Sequence, residues 1–237
     1  MFATLVEAIA LQSSRTAVTG VAPAVVVGIG YPTDRPHDPI RRSYDYTPTV
    51  PPGSLGVRSD GSAWPQTGGA EEFLNFIDTD VKSEIARTLP VDPARQTLFG
   101  HSFGGLFALF ALFSGAGTFS TYIAASPSIW FGDRAILPME RDFAERLRNT
   151  PRDLHLMIGV GSLEQDVIQS TSAPERAAWI AQNRMVDNAA EMAARLRDLE
   201  PHGLTVAYRE IAGENHVSVI PALLSPALRF ALAPKVA

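Results

Sequence analysis

Ser102 stands among glycines in "GHSFGG", between the apolar runs "TLF" and "LFALFALFSG". A serine hydroxyl becomes a nucleophile only when a neighbouring base can take its proton. It must also stand clear of the main chain, and a sharp turn from a buried strand into a helix lifts it there. The spacing therefore predicts a strand ending at His101, a turn at Ser102 and a helix starting at Phe103. Side chains at Gly100 and Gly104 are expected to collide in that turn, which would make both glycines steric requirements. The start of the helix offers unpaired backbone N–H groups and a positive dipole end, both suited to an oxyanion. Phe103 N–H, immediately after the serine, is the expected oxyanion donor.

Histidine suits the role of base because its pKa lies near neutrality, and the chain has five. His216, in "IAGENHVSV", follows the last strand-like run, so in a parallel sheet it emerges at the same C-terminal edge as Ser102. His101 lies inside the turn and is expected to pack beside it, grouped with the substrate-facing candidates. His155 falls within an apolar strand, His202 precedes a strand at the opposite edge, and His37 lies in a long loop. The imidazole also needs an acceptor on its second nitrogen to fix its tautomer. Glu164 and Asp166 both follow the strand "LHLMIGVG"; Glu164 is nearer the strand end and ranks first, with Asp166 as the alternative. Glu214 is expected to face solvent.

These residues need a scaffold, and the apolar periodicity supplies one. Phe2, Leu5, Val6 and Ile9 follow helical spacing, and "PAVVVGIGYP" reads as a buried strand. A stretch rich in Pro and Gly from Thr33 to about Gly69 reads as one long loop, and loops of that length are usually functional. Phe73, Phe76, Ile77, Val81 and Ile85 mark a helix that stops near Pro90. After the serine helix come the strand "STYIAASPSIW", a helix containing "AERLRN" and the strand "DLHLMIGVGS". A helix of about two dozen residues follows, with Trp179, Met185, Met192, Leu196 and Leu199 on its inner face. "LTVAYREIAG" is the last strand and "VIPALLSPALRFAL" the last helix. Alternating strands and helices predict an α/β fold, a mainly parallel sheet covered on both faces, forming one domain over residues 1–237.

Composition narrows the chemistry. A net charge of −5 without runs of like charge argues against nucleic-acid or anionic-membrane partners. The absence of cysteine removes disulfides, thiolate nucleophiles and zinc–thiolate sites. No apolar run approaches the roughly 18 residues that span a bilayer. The N-terminal "MFATLVEAIALQ" lacks the features of a signal peptide, so a cytoplasmic protein is expected.

With the serine, histidine and acid candidates in place, the chain resembles the esterase D-like branch of the α/β hydrolases, and within it the siderophore (enterobactin-type) trilactone esterases. The stretches that carry the resemblance are "VVVGIGYPTD", "RRSYDYTP", "GGAEEFLNFI", "LFGHSFGGL", "ASPSIWF" and "GENHVSVIP", spanning about residues 21–220. The resemblance implies an α/β-hydrolase fold and ester hydrolysis through an acyl-enzyme, with no metal or organic cofactor. It implies a small-molecule ester substrate, in the siderophore members a catecholate scaffold that is anionic and aromatic when iron is bound. Arg41 and Arg42, beside Tyr44 and Tyr46, could then meet its charge and rings, and Trp130 could line the pocket.

The chain departs from the family in starting at what resembles the family's first helix. The strands before it, and the turn that supplies a second oxyanion amide, are therefore expected to be missing. An upstream start, a homodimer covering the exposed sheet edge, or an amide from Gly30 or Tyr31 would each fill the gap. The competing readings are a general acyl esterase or acyltransferase, and a binding module without a complete oxyanion hole.

Overall fold

The computed structural model describes residues 2–35, 37–55, 58, 60–166 and 174–233. Four strands form the sheet: β1 (Thr97–His101), β2 (Thr121–Ala125), β3 (Leu154–Gly161) and β4 (Leu204–Ile211). They lie side by side in chain order and every pairing is parallel. Each crossover is helical, as parallel neighbours require, so all four C-terminal ends meet at one edge.

Strand alternation explains why both faces are covered. Tyr122, Ala124, Leu156 and Ile158 point to one face, against the serine helix α6 (Phe103–Ser114) and its neighbours α8 (Ile136–Asn149) and α10 (Met185–Arg197). Ile123, Ala125 and Met157 point to the other face and meet Leu223 and Ala227 of α11 (Val219–Ala231). Helix α6 is buried at every position from Gly105 to Phe113, which anchors the residue at its N-terminus to the core.

The helix before β1 runs from α4 (Ala70–Phe76) through a π-helical stretch (Ile77–Val81) into α5 (Lys82–Thr88). It ends one residue before Pro90, where proline disfavours a helical predecessor.

Three expectations are corrected. "PAVVVGIGYP" belongs to no strand of the described sheet: Val25, Val27 and Ile29 are exposed, and only Val21 and Val26 tuck against Ile9 and Leu228 beside α1 (Phe2–Ser13). A β-branched run becomes a strand only where a neighbour completes its hydrogen-bond ladder, and β1 ends the sheet without one. The stretch from Thr33 to Gly69 contains a helix, α3 (Pro39–Asp45), started by Asp38 accepting hydrogen bonds from the N–H groups of Ile40 and Arg41. The long helix after β3 is two helices, α9 (Pro174–Asn183) and α10, separated by Arg184 in a left-handed conformation (φ 44°). That break leaves Met185, Met192 and Leu196 on the core and sends Trp179 elsewhere.

Candidate active site

The turn after β1 sets the geometry. Ser102 has φ 63° and ψ −118°, a conformation strained for any residue with a side chain. The main chain around it is fixed by Ser102 N–H to Ala125 O (3.0 Å) and by Ser128 N–H to Ser102 O (3.2 Å). A Cβ at Gly100 would lie 1.9 Å from Gly104 O, so the turn admits only glycine there. Gly104 itself has nothing within 4 Å of such a Cβ; the second steric requirement falls on Gly105, whose Cβ would meet Ala125 O at 2.6 Å. The expected collision at Gly104 is thus corrected by one residue, because the helix turns its next position toward β2.

Three side chains from three loops meet at this edge. Ser102 Oγ lies 3.1 Å from His216 Nε2, and His216 Nδ1 lies 2.6 Å from Glu164 Oε2. Glu164 has a fully buried side chain. Its Oε1 accepts hydrogen bonds from Ser126 Oγ (2.5 Å) and from Gly161 N–H (2.6 Å). The carboxylate is therefore saturated on one oxygen and presents the other to the imidazole. An anion so placed favours the tautomer with a proton on Nδ1, leaving Nε2 to accept from the serine hydroxyl. Glu164, rather than Asp166, is the carboxylate that meets Nδ1.

The loop that carries His216 is strapped to the sheet. Leu163 N–H donates to Glu214 O at 3.0 Å, and a Cβ at Gly161 would lie 2.3 Å from that oxygen. Asn215 Oδ1 accepts the N–H groups of Val217 and Ser218, turning the chain into α11.

His101 departs from its expected substrate-facing position. Its Nε2–H donates to the carbonyl of His216 at 2.8 Å, and the two rings are 4.6 Å apart. Burial first, then the neighbouring His216, pushes its pKa down to about 4. A neutral ring with its proton on Nε2 is what this contact requires.

Phe103 is the first residue of α6, so its N–H lies in the first turn, where helical amides lack intrahelical acceptors. The other expected residues divide into two groups. The Arg42 guanidinium carbon lies 5.6 Å from the centre of the Tyr46 ring, and its charge reaches the site, contributing to the lowered pKa of His101. Arg41 and Tyr44 line a separate cavity of about 260 Å³ with Ile40, Asp45 and Gln66, and Tyr44 donates its hydroxyl to Glu72. Tyr46 packs on Phe73 and Phe107. Tyr31 donates to Asp45 Oδ2 at 2.8 Å. Trp130 stands beside Phe103, with ring centroids 6.1 Å apart.

Sequence reasoning missed Ser126 and Gly161. Their only local signals are a serine between a strand end and Pro127, and a glycine closing β3; neither points to a carboxylate dozens of residues away.

A parallel sheet with a strained serine turn, an imidazole and a buried carboxylate at its C-terminal edge defines an α/β-hydrolase-fold esterase. The comparisons agree: the chain belongs to the family described as putative esterase, whose model matches residues 47–202. It is 41% identical to the ferri-bacillibactin esterase BesA of Bacillus subtilis (strain 168), over 99% of this chain and 76% of that protein. It is 40% identical to a siderophore enterobactin esterase of Emericella nidulans, over 92% of this chain and 74% of the relative. Among solved structures, the BES protein from Bacillus cereus superposes with a TM-score of 0.84 at 38% identity, covering 98% of this chain and 80% of that one. Among the described residues, no helix is long and apolar enough to cross a membrane.

Proposed function

We propose that this esterase cleaves carboxylic ester bonds of a siderophore scaffold through an acyl-enzyme on Ser102. The observation that carries the reading is the continuous hydrogen-bond path from Ser102 Oγ through His216 to the buried Glu164. Two close relatives named as esterases of siderophores support the substrate class.

Ser102 Oγ attacks the ester carbonyl carbon while His216 Nε2 takes its proton, and the carbonyl oxygen becomes an oxyanion facing Phe103 N–H. Collapse breaks the bond to the alcohol oxygen, which leaves with the proton from His216. A water molecule then repeats the sequence on the acyl-enzyme, releasing the carboxylic acid and restoring Ser102. Glu164 holds Nδ1–H throughout and stabilises the imidazolium. A ferric catecholate is anionic, with its iron part of the substrate. Arg42 beside the site and Arg41 in the adjoining cavity supply the opposite charge.

The test is hydrolysis of a ferric catecholate trilactone by the wild-type chain and by Ser102→Ala. Turnover that falls to background in the variant is expected. Unchanged turnover would overturn the serine mechanism. A strong preference for p-nitrophenyl acetate over the trilactone would overturn the siderophore reading and leave the esterase.

A further inference from the structure

The chain contains three tryptophans, and all three meet at the nucleophile turn. Trp64 comes from the segment before α4, Trp130 from the loop after β2, and Trp179 from α9. Ring centroids are 6.2 Å apart for Trp64 and Trp130, and 5.3 Å for Trp130 and Trp179. Phe103, next to Ser102 in the chain, lies 6.2 Å from Trp64 and 6.1 Å from Trp130. Each of these four rings is only partly buried.

Core packing does not account for this cluster. The sheet's own core is built from Leu, Ile, Phe, Met and Ala and closes without any tryptophan. A buried indole N–H normally finds an acceptor, yet that of Trp64 is buried without one. The ring is therefore held by its faces and not by its polar handle. Arg58 adds a guanidinium 5.7 Å from the centre of the Trp64 ring, placing positive charge on the same wall.

We propose that Trp64, Trp130 and Trp179 form a stacking platform for a planar aryl arm of the substrate, so that the enzyme selects esters bearing an oxygenated aromatic acyl substituent over those with aliphatic arms. The inference rests on the esterase reading and specifies what lies beside the ester bond. An aromatic pair contributes about 0.5–1.5 kcal/mol beyond area burial, or about 2- to 13-fold at 1.36 kcal/mol per decade. Two ring contacts then give a preference of about tenfold or more.

The test compares N-(2,3-dihydroxybenzoyl)-L-serine methyl ester with N-acetyl-L-serine methyl ester, which share the scissile bond and differ only in the arm. The readout is the ratio of their kcat/KM values, which cancels any change in folding or in Ser102 reactivity. The expected ratio is at least about tenfold in the wild type, falling severalfold in Trp130→Leu and in Trp64→Leu. A wild-type ratio near one, or a ratio unmoved in both variants, would overturn the platform. Binding is read separately in Ser102→Ala, where all tryptophan emission arises from this cluster. The dihydroxybenzoyl ester is expected to quench it saturably, and the acetyl ester to leave it unchanged. If neither ester turns over but quenching saturates, the platform stands and the esterase reading fails. If both turn over equally and quenching is absent, the reverse holds.

Discussion

Replacing Glu164 by Gln preserves volume and changes only which atoms donate. Oε1 receives the Ser126 hydroxyl and the Gly161 amide, so the glutamine oxygen stays on that side and its NH₂ turns to His216. Nδ1, 2.6 Å away in the native site, must then accept a hydrogen bond, and the imidazole proton moves to Nε2. A protonated Nε2 cannot take the proton of Ser102. In a serine triad the equivalent exchange lowers kcat by about 10⁴, roughly 5 kcal/mol of activation free energy. We expect kcat/KM for p-nitrophenyl acetate and the rate of fluorophosphonate labelling to fall together by that order. Native thermal unfolding would show that the packing survives. A folded Glu164→Gln retaining more than about a tenth of the activity would refute the argument, as would Asp166→Asn losing as much.

Other expectations follow from the same contacts. Ser126→Ala removes one of two donors to Glu164 Oε1, and kcat is expected to fall about tenfold with KM little changed, the net worth of a hydrogen bond to a charged group being about 1.5–3 kcal/mol. His101→Phe breaks the bond to the His216 carbonyl and is expected to lower kcat/KM by about tenfold, while His101→Gln, which can still donate there, recovers most of it. The folded pKa of His101, near 4, lies below the ordinary 6.5, so the unfolded chain binds this proton more tightly. The stability it contributes is full above about pH 6.5 and is lost as pH falls toward 4, by at most about 3 kcal/mol. Urea midpoints at pH 7 and 4.5 should therefore differ more for the wild type than for His101→Gln. Gly100→Ala would force a methyl to 1.9 Å from Gly104 O; overpacking of this kind costs about 1–3 kcal/mol or more, and a Tm within 2 °C of the wild type, roughly 1 kcal/mol or less for a domain of this size, would refute it.

The sequence by itself determined the elements around the chemistry. Apolar periodicity marks β1 and α6, and the glycines between them mark the turn that exposes Ser102, because steric limits on a tight turn are local. Parallel strand order then placed His216 and the Glu164 loop at the same edge, since every crossover returns the chain in the same direction. Tertiary structure alone decided the rest. Glu164 and Asp166 sit two residues apart in one loop, and only the Gly161 amide and the Ser126 hydroxyl, the latter 38 positions away in the chain, select between them. His101 pairs with a carbonyl 115 positions away. The run "VVVGIG" has every local property of a strand and lies outside the sheet, because a ladder needs a partner and periodicity cannot supply one. The three tryptophans looked like scattered core residues until the fold brought them together at one rim. Local sterics and period are written in neighbouring residues; hydrogen-bond partners and ring contacts are properties of distance in space.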